Sequence, residues 1–592
     1  MALLIDLFGY LSIIVHGFTI VSQSVAIGSV LFIAFLLRPL MPRLGAVGQN
    51  IERTCVVIAG WSAMALVLCE VTTVALQGAV LIGTVDLSLP DVLSAGFAIA
   101  GIIKAAAAAL IALILFGRGQ RAPIIPLIAL AAIELAAATL TTHAEARLDN
   151  RTPLLVVEFL HQFGAAIWIG GIPCFLVALN RIQNAPSWLL AGKRYSHMSM
   201  VGVGCILLSG VTMSLVYIGS WDAFYGTAYG VMVGAKIVMF LLLLALGGGN
   251  YLLIERLRAA PATPILRLKR FAEVEIGIGV AIFFAAASLT SVPPGADLTQ
   301  DRVSWAEIVQ RNTPEVPSFS SPDHDTLALP SLQEKLDAEA AHHAAAPQVA
   351  FVPGSGELPP RNAADIAWSE YNHHWSGLFV LAIGLLALLH AAGVRWAKHW
   401  PVMFIGLAIF LFLRSDPEVW PLGDEGFFVS FRDIEVLQHR LFVLLIVAFG
   451  IFEWRVRVAR EVKQPPPPVM PGAGPASTSS LPTGPMNTAT NQSYVLRPTV
   501  KPWAQLVFPL LCAAGGTLLL THSHAIANLK EQLLIELTHT PLAITGIVAG
   551  WARWLELRLD PVANRTEWRI AHWLWPLCFV LVGLMLLNYR EA

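Results

Sequence analysis

Two apolar stretches, far apart in the chain, carry one polar pattern. The first reads Thr142-His143 and then Leu154-Leu155-Val156-Val157-Glu158-Phe159-Leu160-His161; the second reads Thr521-His522-Ser523-His524 and then Leu533-Leu534-Ile535-Glu536-Leu537-Thr538-His539. Each is a histidine or histidine cluster followed by Glu-x-x-His. Helical positions i and i+3 share a face, so each carboxylate and imidazole can point together at one cation. A charged side chain at the bilayer centre costs about 2.5 to 3.5 kcal/mol on insertion scales, which makes an ionisable residue in a membrane span a functional candidate. Imidazole and carboxylate suit Cu(II) or Zn(II), whereas thioether and thiolate suit Cu(I). His522-x-His524 has a spacing that suits copper. The pattern predicts a duplicated metal-handling device.

The elements that hold these residues must lie in lipid. The chain has 592 residues, of which 56% are hydrophobic and 13% charged, and a mean hydropathy of +0.67. That is about half the charge of a soluble protein. The expected class is all-α: a polytopic membrane bundle. A net charge of −1 provides no basic field, and nucleic acid is excluded as a partner. Cys55, Cys69, Cys174, Cys205, Cys512 and Cys578 all fall in apolar segments with no Cys-x-x-Cys, so neither a disulfide framework nor a zinc ribbon is expected. The first apolar run lacks a cleavage site and is long enough to span, so it is expected to stay as the first helix.

Apolar runs near 7–37, 54–82, 95–116, 122–142, 154–180, 197–219, 227–254 and 271–292, then 374–395, 400–414, 436–457, 503–521, 531–556 and 571–589, predict about fourteen transmembrane helices, eight before a long polar segment and six after it. The run at 400–414 is short for a hydrocarbon core of roughly 30 Å. Lys and Arg concentrate on one side of the resulting alternation, which places the N-terminus outside. The expected organisation is an eight-helix domain over 1–295, a mostly irregular outer loop at 296–373 with a short helix around Leu332 to His343, and three helices over 374–459. A disordered inner linker at 460–500, with Pro465 to Pro468, and a final three-helix segment at 501–592 complete it.

On this topology the membrane histidines gather near the outer face. His143 ends the fourth span, and His161 lies eight residues past Pro153, about 12 Å deep at 1.5 Å per residue. His16 reaches a similar depth, so three helices could present histidines at one level. In the second half His522 and His524 end a span, His439 and His539 begin others, and His373-His374 opens the ninth. The candidate metal residues are therefore His16, His143, Glu158, His161, His439, His522, His524, Glu536 and His539. On the inner side His197-Met198-Ser199-Met200, with Met213, Met232 and Met239, offers soft ligands for a path through the bundle. Lys104 and Lys236 can pair with Glu70, Glu134 or Glu158. The plain alternatives are hydrogen bonds to neighbouring helices for the histidines and core filling for the methionines.

His161-x6-Trp168-x-Gly170-Gly171, followed by Tyr229-Gly230-x5-Lys236 and Asn250, resembles the CopD copper-resistance and copper-uptake family over roughly residues 1–295. The stretch from Leu520-Thr521-His522-Ser523-His524 to Tyr589-Arg590-Glu591 resembles the C-terminal extension of long CopD homologues. The resemblance implies a bacterial inner-membrane protein that moves copper from periplasm to cytoplasm, beside a small periplasmic CopC-type copper-binding protein. Two other readings compete: a transmembrane b-type haem protein, because paired histidines also serve as axial ligands, and a copper sensor or scaffold that does not transport. No Ser-His-Asp arrangement, phosphate loop or His-Glu-x-x-His is present, so an enzyme is not expected.

Overall fold

The computed structural model describes residues 2–299, 302–323, 326–327, 363–417, 419–423, 426–428, 431, 434–461, 502–521 and 529–590. Among them there are helices and no strands. The long helices are α1 (Ala2–Phe32), α2 (Arg38–Val85), α3 (Gly96–Arg118), α4 (Ile124–Thr139), α5 (Arg151–Trp168), α6 (Ile172–Arg181), α7 (Ala185–Tyr217), α8 (Ala228–Ala259) and α9 (Leu266–Leu289) in the first half. The second half holds α10 (Ala363–Ala391), α11 (Met403–Arg414), α12 (Ile434–Glu461), α13 (Val507–Leu519), α14 (Leu529–Arg558) and α15 (Arg565–Leu587).

Ten helical stretches among the described residues are long and apolar enough to cross a membrane, against the fourteen expected from apolar runs. The runs near 7–37 and 54–82 lie in one continuous stretch, Phe8–Val85, interrupted inside α2 by Gly45 at φ 53° and ψ −131°, a conformation for glycine alone. The runs near 122–142 and 503–521 form the shorter helices Ile124–Thr139 and Trp503–Leu519. The short run at 400–414 is lengthened by a 3₁₀ stretch, giving a 20-residue element from Arg395 to Arg414. In the outer loop a helix at Trp305–Asn312 is set by a capping box, Ser304 with Glu307. The helix expected near Leu332 to His343 and the linker from 462 onward lie outside the described residues.

Lipid tails are as apolar as leucine, so these helices must associate through close packing. Small residues provide it. A Cβ on Gly164 would sit 2.7 Å from the Gly202 carbonyl oxygen, and one on Gly170 would run into the backbone of Ser24. Gly170 therefore lets the short turn between α5 and α6 press against α1. The second half repeats the device, with a Cβ on Gly550 falling 2.6 Å from the Pro509 carbonyl oxygen and one on Gly583 2.5 Å from the Leu381 nitrogen.

Ion pairs tie helices together near one end of the bundle. Glu453, fully buried, holds Arg553 at 2.7 Å and Arg457 at 2.8 Å. Glu273 of α9 takes Arg558 at 3.0 Å and the Trp554 indole N–H at 2.9 Å, tying the first half to α14. At the opposite end Arg147 grips Asp297 with two bonds, at 2.9 and 3.1 Å.

Candidate cation site

The first Glu-x-x-His lies on α5, which packs against α7 and α1. His161 Nδ1 is 3.0 Å from Ser209 Oγ on α7. That hydroxyl has a single proton, and it is directed to the Cys205 carbonyl at 2.6 Å. An imidazole that donates from Nδ1 to this hydroxyl keeps the Nε2 lone pair as its ligating atom. Glu158 is reached through a relay of amides: Gln23 on α1 donates to Gln162 at 3.0 Å, and Gln162 donates to Glu158 at 3.3 Å. Lys236 on α8 faces both Glu158 and His161.

His143 opens the four-residue helix His143–Ala146 that precedes α5. Its ring is enclosed edge-on by Tyr217 and Tyr229, each with centroids 6.2 Å away, and is held by the Leu289 backbone. Its Nε2 is buried with no hydrogen-bond partner, and so is the Tyr217 hydroxyl. Glu158 is the carboxylate that faces these two tyrosines. Burial holds the His143 imidazole below its ordinary value; the Leu289 backbone opposes this, Arg147 adds to it and Asp297 opposes it. His143, Glu158, His161, Tyr217, Tyr229 and Lys236 thus form one polar neighbourhood. His16 is placed elsewhere, on α1 facing Lys104.

The second Glu-x-x-His lies on α14, where both groups bond residues of the same helix. Glu536 accepts from Thr540 at 3.1 Å, and His539 donates from Nδ1 to the Ile535 carbonyl at 3.0 Å. His373 of α10 does likewise, bonding the Ser369 carbonyl at 2.8 Å. The two imidazoles meet at right angles, 6.1 Å apart, with Tyr589 stacked on His373 at 3.7 Å. His374 is used structurally, clamping Ser318 and the Tyr589 carbonyl. His439 bonds Asp416 at 2.6 Å, and nothing places it beside His539. His522 and His524 lie outside the described residues. Nowhere among the described residues do three His, Cys, Asp or Glu side chains converge as a ready set of ligands.

Below His161 on the same helix, seven residues and roughly 10 Å on, Trp168 borders a cavity of about 300 Å³. Asn250 and Glu275 line it, joined by a hydrogen bond of 2.6 Å, together with Ser199 and Met200. Met232 and Met239 are buried in the packing of α8.

Sequence reasoning missed Ser209, Gln23, Gln162, Tyr217, Glu275 and Tyr589. None stands out by type or spacing. Their role comes from which helix lies beside α5, α9 or α10.

Residues 189–289, which run from within α7 to the end of α9, match the family model described as Copper resistance protein D. A stretch of 162 residues, 27% of this chain, is 33% identical to Copper transport protein CutJ of Bacillus subtilis (strain 168). The match spans 29% of that relative's length. No solved structure matches the chain.

Proposed function

We propose that this chain, whose residues 189–289 match the CopD family model, binds copper through His143, Glu158 and His161 and carries it across the bacterial inner membrane from periplasm to cytoplasm. The observation that carries this reading is the state of two imidazoles. His161 Nδ1 pairs with the Ser209 hydroxyl, and His143 keeps a buried Nε2 without a partner. Imidazoles fixed in that way present a lone pair to a metal. A cation passing inward from His161 meets the cavity bordered by Trp168, Asn250 and Met200. The membrane potential assists inward movement by about 2.3 kcal/mol per charge per 100 mV.

His439, Glu536 and His539 of the second half are proposed as further copper contacts, with His16 of the first; His522 and His524, expected with them from the sequence, lie outside the described residues. A CopC-like periplasmic protein is the partner that would deliver copper to this face, and the lipid bilayer is the constant one. Radioactive copper uptake into proteoliposomes tests the reading. Wild-type protein accumulates copper and His161→Ala does not; binding without accumulation leaves a sensor or scaffold, and a Soret band in the purified protein replaces the copper reading with the haem one.

A further inference from the structure

A second group of ionisable side chains lies inside the first half, on helices α2, α3 and α4. Glu70, Lys104 and Glu134 are 1%, 5% and 0% exposed. Lys104 Nζ lies 2.8 Å from Glu70 Oε1, an ion pair that balances its own charge. Glu134 is different. Both of its carboxyl oxygens are buried, and neither has a hydrogen-bond partner. The charged groups that face it are Lys104, already paired, and Glu70, which is of like sign. On α1, His16 faces Lys104, while the ionisable residues of α5, Glu158 and His161, face Lys236.

One ammonium therefore stands against two carboxyl groups. An ionised carboxylate with no partner in a low-dielectric interior costs several kcal/mol, far more than holding a proton does. Two carboxylates sharing one site cannot both ionise cheaply. We propose that Glu70, Lys104 and Glu134 form a proton-binding site: Glu134 holds one exchangeable proton at neutral pH, and releases it when a cation enters the bundle beside them. Charge balances in both states. Without the cation the site is Glu70 ionised, Lys104 ionised and Glu134 neutral; a monovalent cation arriving in the neighbourhood, at His16 for example, compensates the second carboxylate, and the proton leaves from the Glu134 carboxyl oxygen. The release step rests on the copper reading above, whereas the bound proton does not.

Infrared difference spectroscopy of the full chain in detergent tests the bound proton without copper. Wild type minus Glu134→Gln is expected to show the carbonyl stretch of a carboxylic acid free of hydrogen bonds at neutral pH. Gln has the shape of the neutral acid, so the variant folds. In Glu70→Gln the same band is expected to disappear, because Lys104 loses its partner and Glu134 ionises to replace it. A wild-type spectrum with no such band, or a band that survives Glu134→Gln, overturns the proposal. A pH-indicator titration with copper reads the second half: Glu134→Gln is expected to release one proton fewer per copper bound than wild type. Equal release overturns the coupling; absence of copper binding in both proteins counts against the copper reading, and the infrared result still decides the proton site.

Discussion

The two halves of this molecule carry the same four-residue pattern and treat it differently. On α5 the pattern is held by other helices: Ser209 of α7 pairs with His161 Nδ1, and Gln23 of α1 reaches Glu158 through Gln162. On α14 the hydrogen bonds shown run within α14, through Thr540 and the Ile535 carbonyl, while His373 and Tyr589 pack on the His539 ring. A site whose orientation depends on three helices is disturbed by any substitution that alters their approach. One satisfied within a single helix keeps its tautomer wherever that helix goes. In the first arrangement the hydrogen bonds themselves tie ligand geometry to bundle packing; in the second, ring packing against His373 and Tyr589 provides the tie.

Removing the ligand itself breaks this comparison most severely. His161→Ala is expected to lower copper affinity by more than about a hundredfold, beyond the roughly 10- to 100-fold that outer-shell changes cost. Equilibrium titration with a competing chelator reads it, and unchanged affinity would end the case for α5. Next comes Ser209→Ala, which leaves His161 Nδ1 without its partner and frees the tautomer. A loss of roughly 10- to 100-fold is expected, with Ser209→Thr restoring the hydroxyl and most of the affinity. If Ala and Thr behave alike, the inter-helix support of α5 has no functional weight.

A smaller effect is expected at His143, whose imidazole is held low by burial. The folded protein prefers the neutral ring, so the unfolded chain takes up a proton first as pH falls. Stability from this group is complete above the ordinary histidine value and is lost as pH drops through it toward the folded one. Thermal melts from neutral to mildly acidic pH should decline less steeply in His143→Gln than in wild type, and parallel declines would remove His143 from the acid response.

How much of this was legible in the residues differs between scaffold and site. The all-α membrane class follows from apolar runs alone, because lipid leaves the backbone no other partner than its own helix. The limits of the crossing elements are less legible, since Gly45 breaks the helical geometry inside a stretch that otherwise runs on, and a 3₁₀ stretch lengthens the element before Arg414. Glu158, His161 and Lys236 could be placed in one half by spacing, and the structure makes them neighbours. His16 is influenced by Lys104, whereas His161 is influenced by Lys236, a difference that counting residues along a span does not reveal. The pairing of His373 with His539 joins α10 to α14, separated by more than a hundred and sixty positions. No local pattern encodes that approach. Hydrogen bonds that cross helices are set by packing of small residues such as Gly164 and Gly202, so Ser209 looks like any serine in an apolar run until its neighbour is known.

The least disruptive change is the sharpest check on the contrast between the halves. Thr540→Val keeps the shape of the residue and removes the hydroxyl that donates to Glu536 at 3.1 Å. A hydrogen bond of this kind contributes about 1 kcal/mol to stability, and a small drop in melting temperature is expected. Copper affinity should change by less than about twofold, a few tenths of a kcal/mol, because His539 still donates to the Ile535 backbone carbonyl, an acceptor that this substitution leaves in place. Since Ser209→Ala removes the inter-helix partner of His161 whereas Thr540→Val removes an intra-helix partner of Glu536, the two variants measured side by side in the same titration compare support from another helix with support from the same one. A loss at Thr540→Val as large as at Ser209→Ala would mean that the carboxylate on α14 depends on its hydroxyl partner as strongly as His161 depends on α7, and the two halves would then work by one design.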